Sequence, residues 1–165
     1  MLSILFVCAG LLCAGTHLFA ARKNLDRTRA VEIILLYMLV FGVGVAGLFA
    51  ASGHIFAADA VASKIGWPAG SPFQFEVGAG DLAWGVLGIM CIWFRRDFWL
   101  ATGLGWSLFL LGAAFGHARE TVLRGNFASY NFGMILPDLL LPLLLLGLLL
   151  LHRGLLSGRD CSPGK

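Results

Sequence analysis

Apolar runs of about 20 residues alternate with short polar clusters along this chain, and about 20 apolar residues are what a helix needs to cross roughly 30 Å of hydrocarbon. Five runs qualify, at about 1–21, 31–53, 74–94, 98–117 and 131–152. They predict an all-α, polytopic membrane helix bundle with five transmembrane helices. The first run is the least committed, because His17 and the charges that follow it permit a shallower insertion; a four-helix core plus one peripheral helix satisfies the same pattern. Residues 1–156 then form a single transmembrane domain, and 157–165 a cytoplasmic tail.

The polar clusters describe the joints. ARKNLDRTRA, residues 21–30, is short and basic and turns the first two helices into an antiparallel pair. Glu32 lies one turn above that interface, within reach of basic neighbours. After the glycine- and alanine-rich FGVGVAGLFAASG, HIFAADAVASKI reads as an amphipathic helix along the outer interface, ending at the GWPAGSP turn. Small residues let membrane helices pack closely, so the second run, with Gly78, Gly85 and Gly88 of the third, predicts tight contacts. Gly112 and Gly116 form a GxxxG match, a weak pointer to a helix pair. In the fifth run Pro142 cannot donate to the carbonyl of Asp138 four residues earlier, which predicts a kink and a freed acceptor beside an intramembrane acid.

Composition agrees with a bilayer as solvent. Hydrophobic residues make up 59% and charged residues 13%, with a mean hydropathy of +0.86. That leaves too little polar surface for a soluble globule. A cleavable signal peptide carries positive charge before its apolar region, whereas here MLSILF is uncharged and Arg22, Lys23, Arg27 and Arg29 follow, so the first run reads as a retained helix. With the N-terminus outside, nine of the 12 Lys and Arg are cytoplasmic and only Lys64, Arg119 and Arg124 are external, which predicts an N-out, C-in topology. The net charge of +3 follows from that bias and points to no nucleic-acid partner. Cys8, Cys13, Cys91 and Cys161 form no CxxC and read as small packing residues.

The chemistry concentrates on one side. His54 ends the second helix, Glu76 and Asp81 start the third, His117 and Glu120 end the fourth, and Asp138 lies a third of the way down the fifth. These six residues are the candidate polar or ligand site, facing the periplasm. Asp81 lies about 7–8 Å deeper than Glu76 at 1.5 Å per residue, and a carboxylate in hydrocarbon must be paired, protonated or coordinated. Asp81 and Gly85 share a face, so the acid looks into a helix interface. His117 and Glu120 share a face, whereas Glu76 and Asp81 are about 140° apart.

Several readings are open for this cluster. One is a buried polar network, with Asp81 and Asp138 bonded to Trp84, Asn131, Tyr130 or Ser107, and Glu76 and Glu120 paired with Arg119, Arg124 or Lys64. Another is a metal site, with His54, His117, Glu76, Asp81 and Glu120 as candidate ligands. A third is a proton-coupled transport or small-ligand site in an outward-facing cavity, with Asp81 or Asp138 as the titrating group. The cofactor classes considered are a metal ion or a quinone, and the partners are the lipid bilayer, a second copy or another membrane protein. His17 and His152 sit at the inner interface, where headgroup contact or a helix C-terminal role is expected. The expected function is accessory or small-ligand binding, with a metal- or quinone-linked redox subunit and a proton-coupled small-solute transporter as alternatives; no catalytic mechanism is legible.

KIGWPAGSPFQFEVGAGDLAWGVLG, followed by the GHARE end of the next run, resembles a family of small bacterial integral membrane proteins known as domain of unknown function 6790. The helix pattern is more distantly similar to DoxX-type four-helix proteins. The resemblance implies a bacterial inner-membrane location and no activity. The DoxX likeness implies quinone-linked or thiol-linked redox partners, and the chain lacks matching cysteines.

Overall fold

The computed structural model describes residues 2–160, and every regular element in it is helical. Cys161 and the end of the expected tail lie outside the described residues. Helix α1 covers Leu2–Ala21; after a 3-10 turn at Arg22–Asn24, α2 covers Arg27–Tyr37. The Asp26 side chain caps α2 by accepting from the Arg29 backbone N–H at 2.8 Å, which satisfies an N-terminal donor that the helix itself cannot. The same rod passes through a π-helical segment, Met38–Val45, into α3, Ala46–Phe56. Then follow α4 (Ala58–Ile65), α5 (Phe73–Met90), α6 (Asp97–Arg124), α7 (Ser129–Phe132) and α8 (Ile135–Asp160).

Among the described residues, four helical stretches are long and apolar enough to cross a membrane: Ile4–Asn24, Arg27–Phe56, Asp97–Arg124 and Ser129–Gly158. The third expected span is the exception. Its helix, α5, has 18 residues and carries Gln74, Glu76 and Asp81 in its first half. Those side chains lower its hydropathy, yet one face of the helix is buried, packed most extensively against α3 and the π-helical segment, while the opposite face is exposed.

Glycine explains that position. The buried residues of α5 are Gln74, Gly78, Asp81, Gly85 and Gly88, spaced alternately by four and three, which is the period of one helix face meeting another. Opposite them the register descends, Gly44 meeting Gly88 and Gly47 meeting Gly85, while His54 and Ile55 meet Gly78. The two helices are therefore antiparallel and in backbone contact. A Cβ on Gly47 would come within 2.9 Å of the Asp81 carbonyl oxygen. By contrast Gly112 and Gly116 have nothing within 4 Å, so the GxxxG match joins no helices within this bundle.

The apolar core, with Leu35, Met38, Leu39, Trp99, Trp106 and Leu145, lies between the long rod, α6 and α8. Helix α1 packs only on the outside, with 11% of its span window buried. Helix α8 continues through Pro142 to Asp160 without a break in its assignment. Its start differs from expectation: residues 129–132 form the separate turn α7, and Asn131 belongs to that turn.

At the end opposite the candidate site, His152 is buried. Its Nε2 lies 3.4 Å from Glu32 Oε1, and its ring is 5.7 Å from that of Trp99. The expected headgroup role for His152 is thus replaced by a tie between α2, α6 and α8. His17 packs edge-on against Tyr37, 5.8 Å away.

Candidate functional site

The α4 segment and the α6–α7 corner build the end of the bundle that carries the candidate residues. Backbone geometry at Ala57 (φ −135°, ψ 37°) separates α4 from α3, and α4 ends on Gly66 in the left-handed region at φ 81°. Gly66 is required twice over, because a Cβ there would also strike the Asn126 amide at 2.6 Å. Asn126 Nδ2 donates to the Ile65 carbonyl at 2.9 Å, and its Oδ1 accepts from the Ala128 N–H at 3.1 Å. One side chain thereby clamps α4 to the loop after α6.

Behind the clamp lies Asn131, fully buried on α7. Its Nδ2 donates to the Asn126 carbonyl at 2.8 Å, to Thr121 Oγ1 at 2.9 Å and to the His117 carbonyl at 3.2 Å. Carbonyls only accept, so the amide nitrogen must face them and Oδ1 must face His117 Nδ1, 2.9 Å away. The consequence is chemical. His117 carries a proton on Nδ1 and directs Nε2 at Asp138 Oδ2, 3.7 Å distant.

The other histidine is held differently. His54 Nδ1 hydrogen-bonds Gln74 Oε1 across the α3–α5 interface, and Gln74 is buried with no partner for its Nε2 among the described residues. Both imidazoles line one cavity of about 190 Å³. Its walls are Phe6 of α1, Phe49 of α3, Val61 and Ile65 of α4, Tyr130 of α7 and Met134. Lys64 lies over the Tyr130 ring, 5.3 Å from its centre, and does not line the cavity.

The six expected site residues therefore separate. His54 and His117 share the cavity, and Asp138 lies behind His117. Asp81 is buried in the glycine interface, has no hydrogen-bond or ion-pair partner among the described residues, and is near enough to Asp138 for their charges to influence each other. Glu120 pairs with Arg124 at 3.5 Å, one of the pairings expected from spacing. Glu76 is exposed on another face of α5. The expected metal ligands are not brought together: among the described residues no group of three or more His, Cys, Asp or Glu could hold a metal ion. Helical phase is the reason, since Glu76 and Asp81 point to different sides and Glu120 turns to Arg124.

Sequence reasoning missed Gln74, Thr121 and Asn126 as parts of this site and assigned Asn131 to an acid rather than to His117. The signal available was positional: amide side chains stand at the start of a span and on both sides of the short α7 turn.

The model of one protein family, described as a family of unknown function (DUF6790), matches residues 1–157. None of the curated proteins and none of the solved structures compared with the chain matches it.

Proposed function

We propose that this chain, which belongs to the DUF6790 family of unknown function, is a five-span inner-membrane protein, N-out and C-in, that binds a small ligand in its outer-side cavity. The observation that carries the reading is that cavity: about 190 Å³, mostly apolar in its walls, with two oriented imidazoles converging on it. Ligand sites are typically concave and apolar with a few placed polar groups, and those for drug-sized molecules run from about 300 to 1,000 Å³. The occupant is correspondingly small.

Membrane residence is supported by the outward face of the bundle. Leu12, Phe19, Leu108, Phe115, Leu143 and Leu150 are all more than 60% exposed, an arrangement that suits lipid and would aggregate in water. Helix α5 extends about 27 Å at 1.5 Å per residue, close to a hydrocarbon thickness of roughly 30 Å. In its polar first half Gln74 and Asp81 are buried on the face that meets α3, whereas Glu76 is exposed near the helix start, an arrangement that favours five crossings over four.

Native mass spectrometry of the full chain released from mild detergent tests the function. A small molecule bound to the wild type and absent from an Ala50→Trp protein, in which an indole fills the cavity, is the expected result. Equal retention by both proteins refutes the site. The same spectrum distinguishes a quinone from other ligands, and so tests whether the chain is a quinone-linked redox subunit.

A second reading, proton-coupled transport of a small solute, is favoured by the His117–Asp138 contact and by Asp81 nearby. Its test is solute flux in proteoliposomes under an imposed pH gradient. An Asp138→Asn protein as active as the wild type would count against it.

A further inference from the structure

The end of the bundle opposite the cavity carries an unbalanced charge. Arg22 and Lys23 follow α1, Arg27 and Arg29 lie in the first turn of α2, Arg95 and Arg96 belong to the α5–α6 turn, and Arg153 is near the end of α8; all are exposed. Among the described residues none of them makes an ion pair. Of the acids within a turn of them, Asp26 caps α2 and Glu32 faces His152, which leaves Asp97. The cavity end differs: there Lys64, Arg119 and Arg124 are matched in number by Asp59, Glu76 and Glu120.

Tertiary contacts gather part of this charge. His152, by facing Glu32 and Trp99, holds the end of α8 against the starts of α2 and α6. Arg29 stands three residues before Glu32 on the same helix face, Arg153 adjoins His152, and the Arg95 guanidinium lies over Trp99, 4.9 Å from the ring centre. Three guanidinium groups from distant parts of the chain are thereby anchored to one buried hub. Arginine stays charged at any ordinary pH, and like charges brought together need an anion that the hub does not supply, because its one carboxylate is turned to His152.

Depth decides which anion that is. The cations stand at the ends of the apolar stretches Ile4–Asn24, Arg27–Phe56 and Asp97–Arg124. Trp93 and Phe94, directly before Arg95, are more than half exposed, as is Phe19, over whose ring Arg22 lies at 4.1 Å. Exposed aromatic rings with a tryptophan among them mark the headgroup level of a bilayer. At that level the nearest anion is a lipid phosphate, whose oxygens match the guanidinium fork.

We propose that this end binds an anionic phospholipid, its headgroup phosphate held by Arg29, Arg95 and Arg153. Basic surfaces between membrane helices are suited to such headgroups. The inference rests on membrane residence and is independent of what the cavity holds.

The probes are phosphatidylglycerol and phosphatidylcholine with identical acyl chains, offered in equal amounts to the full chain in mild detergent, with the retained lipid read by native mass spectrometry. Phosphatidylglycerol is expected to be retained about tenfold more than phosphatidylcholine, since each cation near an anionic headgroup adds to the preference. Replacing Arg29, Arg95 and Arg153 together by Gln should bring it down to the phosphatidylcholine level. The same loss of charge at the cavity end, by Lys64→Gln, Arg119→Gln and Arg124→Gln, should leave the preference in place. Inorganic phosphate at the concentration of the lipid should displace nothing.

Equal retention of the two lipids by the wild type overturns the inference and leaves membrane residence standing; that comparison needs no variant to fold. An equal loss in both triple variants reduces the preference to net charge and overturns the site. Displacement by inorganic phosphate assigns the arginines to a soluble anion and overturns the lipid. Recovery of the expressed chain from the soluble fraction, without lipid, overturns membrane residence and the inference with it.

Discussion

The Asn131 side chain makes four hydrogen-bond contacts, two with His117 and one each with Thr121 and Asn126. An unsatisfied buried polar group costs about 1–3 kcal/mol. Asn131→Leu strands several groups at once, so a loss of more than about 2 kcal/mol is expected, read as a lower midpoint in a detergent thermal melt. Asn131→Leu should also release the His117 tautomer in the NMR spectrum of nitrogen-15-labelled histidine, which a stability defect alone would not do. His54 and Gln74 give a cleaner pairwise case. A double-mutant cycle with His54→Phe and Gln74→Leu should return a coupling of about 1 kcal/mol, and no coupling would mean that the contact does not join α3 to α5. At this scale the sequence identified the titratable residues and missed their partners. A histidine announces itself by chemistry, whereas a buried amide looks like any loop residue until its acceptors are known.

Helices α3 and α5 meet through glycines whose roles separate by environment. Gly47→Ala forces a methyl against the Asp81 carbonyl and the Gly85 backbone, and overpacking of this kind costs about 1–3 kcal/mol. Gly112→Ala places a methyl where nothing lies within 4 Å and should be neutral or raise stability by up to about 1 kcal/mol, the helix preference of alanine over glycine. Comparing thermal midpoints of the two proteins checks both expectations; similar losses would mean that Gly112 is also packed. Sequence spacing correctly put Asp81 on the face of Gly85 and correctly expected close packing in the second and third runs. It could not separate these glycines from the Gly112–Gly116 pair, because a small residue permits contact without specifying a neighbour. The turn α7 escaped detection for a related reason: Phe132 leads into the apolar run of α8 in composition, and a turn at Gly133 and Met134 separates the two helices.

For the whole molecule, α1 is the least integrated element, and yet Phe6 closes one side of the cavity. A chain lacking residues 2–24 should keep the helical circular dichroism of the remaining bundle and lose cavity-dependent ligand binding. Collapse of the whole fold would show that α1 is integral to the core. Topology belongs to the same scale. Alkaline phosphatase fused after Ala69 should be active and after Arg96 inactive, and the reverse result would invert the proposed orientation. The all-helical class, the long apolar elements and the end of α4 at the GWPAGSP turn were legible in the sequence, whereas the break at Ala57, inside the expected helix over residues 54–65, was not. The legible features depend on composition, period and local backbone preference, which are properties of neighbouring residues. The partners of those residues depend on how helices distant in the chain rotate against one another. That rotation divided the expected site, sending Glu120 to Arg124, Asp81 into the glycine interface, and His54 and His117 to a common cavity. It also turned His152 inward to Glu32 and Trp99. Sequence by itself determined which residues are costly to bury; tertiary structure decided what each one meets, because helix phase and register are set by packing between helices and not within them.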